Sequence, residues 1–231
     1  MGTFLAMTIR TGSLAALLGL VVLAGCGEGA GEQIGARLLN VVVPLMSGAS
    51  MGSGGDAGSV AAPDFSAQAI AQDTSKFMAF NLTTLGIATP AQIIADNGAD
   101  ETWRTQAGYT ATFRDGMLVA TRGLGDDLMA ADTGQVRAAL RAGGGSARRV
   151  TEFLGDQDQI ESMTFDCVIV AAGPETIDLG LRQVPTRKFD ETCTNPRLVF
   201  SNIYWLDSVG AILQSRQFVS STVAYLRSNR L

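Results

Sequence analysis

The stretch "YTATFRDGMLVATRG", residues 109–123, decides the fold of this chain. Tyr109, Ala111 and Phe113 fall on one side of an extended backbone, and Thr110, Thr112 and Arg114 on the other. That period of two belongs to a strand with one buried face. A second β-rich run, Met117 to Arg122, follows, with Leu118, Ala120 and Arg122 opposing Met117, Val119 and Thr121. Between the runs stands Asp115-Gly116, a pair that tolerates the two positive-φ positions of a type I′ turn. Residues 109–122 therefore read as a hairpin.

The same punctuation recurs outward from it. "KFMAFNLTTL" (76–85), "PAQIIADNG" (90–98) and "ETWRT" (101–105) are strand candidates, with a turn at Ala107-Gly108. "ARRVTEFL" and "DQIESMTFDCVIVA" flank Gly155-Asp156, and "ETIDLGLRQVPTRKFDETC" follows a turn expected at Gly173-Pro174. "LVFSNIYWLD" and "AILQSRQFVS" flank Ser208-Val209-Gly210, and "TVAYLR" gives a last short strand. About ten strands joined by short turns predict antiparallel pairing, and so an all-β, barrel-like meander that protects its edges. One to three short helices are expected. "PDFSAQAIAQDTS" suits one, with Asp64 as its N-cap. "DDLMAADTGQVRAALRAGGG" reads as one or two more. Asp126 and Asp127 would favour the N-terminus of the first, Asp132 or Thr133 would cap the second, and Gly143 would end it.

Residues 1–25 are an address. One cation, Arg10, precedes an apolar run from Leu14 to Leu23 and then small residues, the pattern of a secretory signal. The run is too short for a comfortable membrane span. It ends in Leu23-Ala24-Gly25-Cys26, which resembles the bacterial lipobox. That resemblance implies a lipid on Cys26 as the first mature residue. Gly27 in the next position favours sorting to the outer membrane. Residues 26–62 form a Gly/Ser-rich tether interrupted by "IGARLLNVVVPLM", and a single periplasmic domain is expected over 63–231. The other two cysteines, Cys167 and Cys193, lie 26 residues apart. In an oxidising compartment such a pair usually bridges, worth about 3–4 kcal/mol on a chain-entropy estimate. Two free buried thiols are the alternative.

Composition closes off several functions. The sequence has 17 Lys+Arg against 22 Asp+Glu. Removing Arg10 with the signal leaves 16 against 22, a net charge of −6. That balance argues against nucleic acid as a partner. There is no histidine, so a Ser-His-Asp triad, a Cys-His pair and an imidazole zinc site are all excluded. No metal or other cofactor is expected.

"ETWRT" (101–105), "FRDGMLVATRGLGDDLM" (113–129), "AGPETIDL" (172–179), "DETC" (190–193) and "NIYWLDSVGAILQSRQF" (202–218) together resemble the YjbF/GfcB family. These are lipoproteins encoded with capsule or exopolysaccharide secretion genes. The resemblance implies a barrel-like periplasmic domain tethered to the outer membrane. It further implies a role in making or exporting surface polysaccharide, with no established catalytic activity; the leading expectation is an accessory or scaffold that binds polymer or an export protein without covalent chemistry. A polysaccharide or partner surface would draw on Trp103, Arg122, Trp205, Arg216 and Gln217. Of Tyr204 and Trp205, neighbours on one strand, one must face outward, where an aromatic beside Arg can stack on a sugar ring. Two alternatives stand. One is a carbohydrate-active enzyme with a carboxylate pair drawn from Glu101, Asp115, Asp126, Asp127 and Asp207. The other is a purely structural envelope lipoprotein. Arg148-Arg149 reads as solvent-facing charge on a strand edge.

Overall fold

The computed structural model describes residues 64–155, 159–180 and 182–231. The expected signal segment, lipid site at Cys26 and tether lie outside them. Twelve strands are present: β1 (Phe77–Leu82), β2 (Ile87–Asp96), β3 (Asp100–Thr105), β4 (Thr110–Arg114), β5 (Met117–Arg122), β6 (Leu128–Asp132), β7 (Gly145–Leu154), β8 (Ile160–Asp178), β9 (Gln183–Thr194), β10 (Val199–Leu206), β11 (Ile212–Ser220) and β12 (Ala224–Arg230). Among the described residues two α-helices accompany them, α1 (Ala67–Gln72) and α2 (Gly134–Ala142). The all-β, antiparallel expectation holds.

All twelve strands form one antiparallel sheet in the order β5-β4-β3-β2-β1-β12-β11-β10-β9-β8-β7-β6. Every neighbour in that order is also a neighbour in sequence, apart from β1 and β12, which join the two ends of the chain. The sheet curls until its edges, β5 and β6, meet as a nearly closed barrel. The inward faces carry Trp103, Phe113, Leu118, Phe165, Phe189, Tyr204 and Leu226, all essentially without solvent contact. The hairpin at residues 109–122 forms as its sequence requires. Asp115 has φ 50° and Gly116 φ 79°, and a Cβ on Gly116 would meet Ile212 Cβ at 2.8 Å.

The seam between β5 and β6 is closed by side chains in place of a backbone ladder. Arg122 donates from Nη1 to the Leu128 carbonyl at 3.1 Å and from Nη2 to the Met129 carbonyl at 3.3 Å. Thr121 Oγ1 donates to Asp127 Oδ1 (2.7 Å) and accepts from Leu128 N (3.0 Å). Asp127 also accepts from the backbone N–H groups of Gly123 and Leu124. From inside the barrel, Gln217 on β11 treats β5 as a partner strand. Its Oε1 accepts from Leu118 N at 2.8 Å, and its Nε2 donates to the Gly116 carbonyl at 3.0 Å. Edge groups that a thirteenth strand would have satisfied are thereby paired.

Three local expectations are corrected. "DDLMAAD" builds β6 and not a helix, so Asp127 serves the β5–β6 turn; the apolar side chains of Leu128 and Ala131 have a core to enter. Only the second expected helix forms there. It ends at Gly143 in the left-handed region, and Asp132 Oδ1 accepts from Gly134 N. At α1 the cap is Ser66, which accepts from Ala69 N, while Asp64 accepts from Ser66 N. No turn forms at Gly173-Pro174. Strand β8 runs through, and a bulge there, with Gly173 at φ 100°, skips one residue against β9. The bulge bends the end of the β8–β9 hairpin across the outer wall. There Ile177, Leu179 and Val184 cover Trp205, Ile203 and Leu213 in a small second core.

Candidate functional site

The antiparallel meander sorts the turns to two ends. The chain enters β1 at one end, together with the β4–β5 and β10–β11 turns and α2. Arg137 of α2 donates to the Gly210 carbonyl at 2.9 Å, and Arg141 pairs with Asp115 at 3.4 Å, so the helix lies across that end. The opposite end collects the β1–β2, β5–β6, β9–β10 and β11–β12 turns.

The five residues expected to share a surface do not. Trp103 is fully buried inside the barrel and Gln217 is 1% exposed; strand alternation placed both inward. Trp205 does face away from the lumen, as one of the Tyr204–Trp205 pair had to, but the folded-over β8–β9 tip leaves it only 4% exposed. Arg122 commits its guanidinium to the seam. Only Arg216 lines an open cleft. The expected aromatic and arginine strip is therefore corrected to a single member.

The other sequence candidates have structural partners. Cys167 and Cys193 are bonded, with S–S 2.04 Å, directly opposite one another on β8 and β9. Arg149, expected in solvent, is 3% exposed. It points into the lumen 3.9 Å from Glu191, which is itself fully buried. Glu191 Oε2 accepts from Asn202 Nδ2 and from the Tyr204 hydroxyl, both at 2.6 Å. Burial, and next the adjacent Glu191 charge, hold the Tyr204 phenol well above its ordinary pKa. Glu191 Oε1 lies 3.0 Å from Cys193 Sγ. A disulfide sulfur carries no proton, so that contact is not a hydrogen bond, and neither sulfur is available as a thiolate for a metal. Of the five candidate carboxylates, Glu101 pairs with Arg230 and Asp115 with Arg141. Asp126 accepts from the Thr222 hydroxyl, and Asp207 accepts from Val209 N and Ala211 N within its own turn. Glu101 and Asp115 do line one cleft together, beside Arg137 and Arg230.

The cleft that holds Arg216 lies on the barrel's outer wall near the end opposite α2. Asn81, Thr83, Thr84, Tyr225 and Arg227 complete it. Register builds it: Asn81 of β1 faces Arg227 of β12, which faces Arg216 of β11. The Arg216 guanidinium stacks 4.2 Å from the centroid of the Tyr225 ring and donates to the Ser201 carbonyl at 3.1 Å. Sequence reading missed Arg227, Tyr225, Asn81, Thr83 and Thr84. Arg216, Tyr225 and Arg227 share the β11–β12 hairpin, but Asn81, Thr83 and Thr84 lie far away along the chain, and only the closure of β1 onto β12 makes them neighbours.

Comparison with known proteins gives three findings. A family model described as "Group 4 capsule polysaccharide lipoprotein gfcB, YjbF" matches residues 59–231. The "uncharacterized lipoprotein YjbF" of Escherichia coli (strain K12) is 30% identical over 132 residues, 55% of this chain and 61% of that protein. The match thus spans less than two thirds of that relative. The crystal structure of the hypothetical lipoprotein YmcC from Escherichia coli (K12) superposes with a TM-score of 0.61 at 24% identity, covering 70% of this chain and 86% of the other. At that identity the likeness bears on the fold alone.

Proposed function

Because the chain belongs to the YjbF family of group 4 capsule polysaccharide lipoproteins, we propose that it is an accessory factor in the production and export of capsule or exopolysaccharide. In this reading a lipid on Cys26 anchors it to the outer membrane, its barrel faces the periplasm, and it holds polymer or an export protein without covalent chemistry. The observation that carries the reading is the open outer-wall cleft of Asn81, Thr83, Thr84, Arg216, Tyr225 and Arg227. Hydroxyls, an amide, an aromatic ring and planar guanidinium donors are the groups that bind sugars, through hydrogen bonds and ring stacking. The engagement of Asp115, Asp126, Asp127 and Asp207 in ion pairs and turns supports a binding role over a hydrolytic one.

The test is co-sedimentation of the full-length lipoprotein, in neutral detergent micelles, with surface polysaccharide from the producing strain. The wild type is expected to co-sediment, and Tyr225→Ala to lose most of the binding while its melting temperature stays within reach of the assay. Equal recovery of polymer by both would remove the cleft from the model. For the anchor, labelled palmitate should enter the wild type and fail to enter Cys26→Ser.

A further inference from the structure

We infer that the outer-wall cleft recognises an anionic substituent on its ligand, a sugar carboxylate, through Arg216 and Arg227. The inference rests on the polysaccharide-binding reading above and narrows it to acidic polymers.

Three observations carry it. First, Arg216 and Arg227 are directly opposed partners on β11 and β12. Like charges in that relation destabilise a sheet, so the arrangement runs against the fold's own interest. Second, no carboxylate among the described residues neutralises them. No carboxylate lines the cleft, and every ion pair among the described residues involves other side chains. In a chain where acidic residues outnumber basic ones, 22 to 17, two adjacent unpaired arginines are a local reversal of sign. Third, one of the two is pre-oriented. Arg216 is fixed by stacking on Tyr225 and by its bond to the Ser201 carbonyl. Its Nε is buried, so the Nη end of a guanidinium held in one plane is what Arg216 offers to a carboxylate. Arg227 is exposed and free to close on the second oxygen.

The remaining lining favours a sugar as the bearer of that charge. Thr83 Oγ1 donates to Asn81 Oδ1 at 3.0 Å, which turns the Asn81 Nδ2 group toward other acceptors. With Thr84, these groups supply donors and acceptors to ring hydroxyls beside the charged group.

The experiment titrates the full-length chain in neutral detergent micelles with oligogalacturonate, and in parallel with neutral dextran oligomers, inorganic phosphate and micelles carrying phosphatidylglycerol. Oligogalacturonate is expected to bind, to weaken with added salt, and to weaken on the order of tenfold in Arg227→Gln, the effect of losing one charge-assisted contact. Arg227 is exposed and faces a like charge, so that variant should keep or slightly raise the wild-type melting temperature; Arg216→Gln, tested beside it, should weaken binding at least as much. Oligogalacturonate affinity unchanged in Arg227→Gln would overturn the inference. So would phosphate or the anionic lipid binding as tightly as the uronate, which would give the site to a phosphate ligand. Arginine-independent binding of dextran and galacturonate alike would overturn the anionic site while leaving the broader polysaccharide reading intact. Failure of every polymer to bind would remove both.

Discussion

Gln217→Leu is the sharpest test of how this barrel closes. The side chain is buried at 1% exposure and bridges β11 to the unpaired edge of β5 through Leu118 N (2.8 Å) and the Gly116 carbonyl (3.0 Å). Leucine fills similar volume but strips both partners. Leu118 is itself 1% exposed, so its orphaned N–H should cost the full desolvation penalty of about 1–3 kcal/mol. Gly116 is partly exposed, and water can recover some of the loss there. Gln217 Nε2 also donates to Ser215 Oγ at 2.9 Å, but Ser215 keeps its bond to Ser228 at 2.8 Å. The net cost should be about 2–4 kcal/mol, which for a domain of this size lowers the melting temperature by roughly 5–15 °C. Thermal unfolding followed by circular dichroism measures it, and amide exchange at Leu118 should accelerate. Gln217→Glu adds a pH signature: a carboxylate faces the Gly116 carbonyl at neutral pH, while its protonated form restores the donor, so that variant should regain stability on mild acidification. A Gln217→Leu protein melting within about 2 °C of wild type, with Leu118 still protected, would refute the bridging argument.

Two further outcomes follow from the lumen cluster. Glu191→Ala leaves the Tyr204 hydroxyl, Asn202 Nδ2 and the Arg149 charge without their buried acceptor, and should destabilise by about 3–5 kcal/mol in urea titrations; Glu191→Gln, which keeps an acceptor oxygen, should lose clearly less, and equal losses would dismiss the hydrogen bonds as the cause. Tyr204 ionises with a raised pKa when folded, so above the ordinary phenol value the unfolded chain releases its proton first. Stability from this group is therefore complete below about pH 10 and is lost as pH rises toward the folded-state value. Tyr204→Phe should unfold less steeply in alkali than wild type, and identical alkaline profiles would contradict the assignment.

The sequence by itself determined the class of fold, most of the hairpins and the disulfide partners. Each is a local matter: alternation at residues 109–122, the Asp115-Gly116 turn, and two cysteines left in a chain whose first residues read as an export signal. The tertiary structure decided which side of each strand meets solvent and which strands meet across the chain's ends. Alternation says that Tyr204 and Trp205 oppose one another, but only the bulge at Gly173 swings a hairpin over Trp205 and buries it. Arg149 and Gln217 look like surface residues because nothing local reveals the acceptors that await them inside, Glu191 for one and the edge of β5 for the other. Arg216 and Arg227 oppose each other because β11 and β12 pair in one particular register, and Asn81 joins them because β1 closes onto β12. Backbone periodicity is written in neighbouring residues, whereas barrel closure is a long-range pairing that no short window of sequence contains.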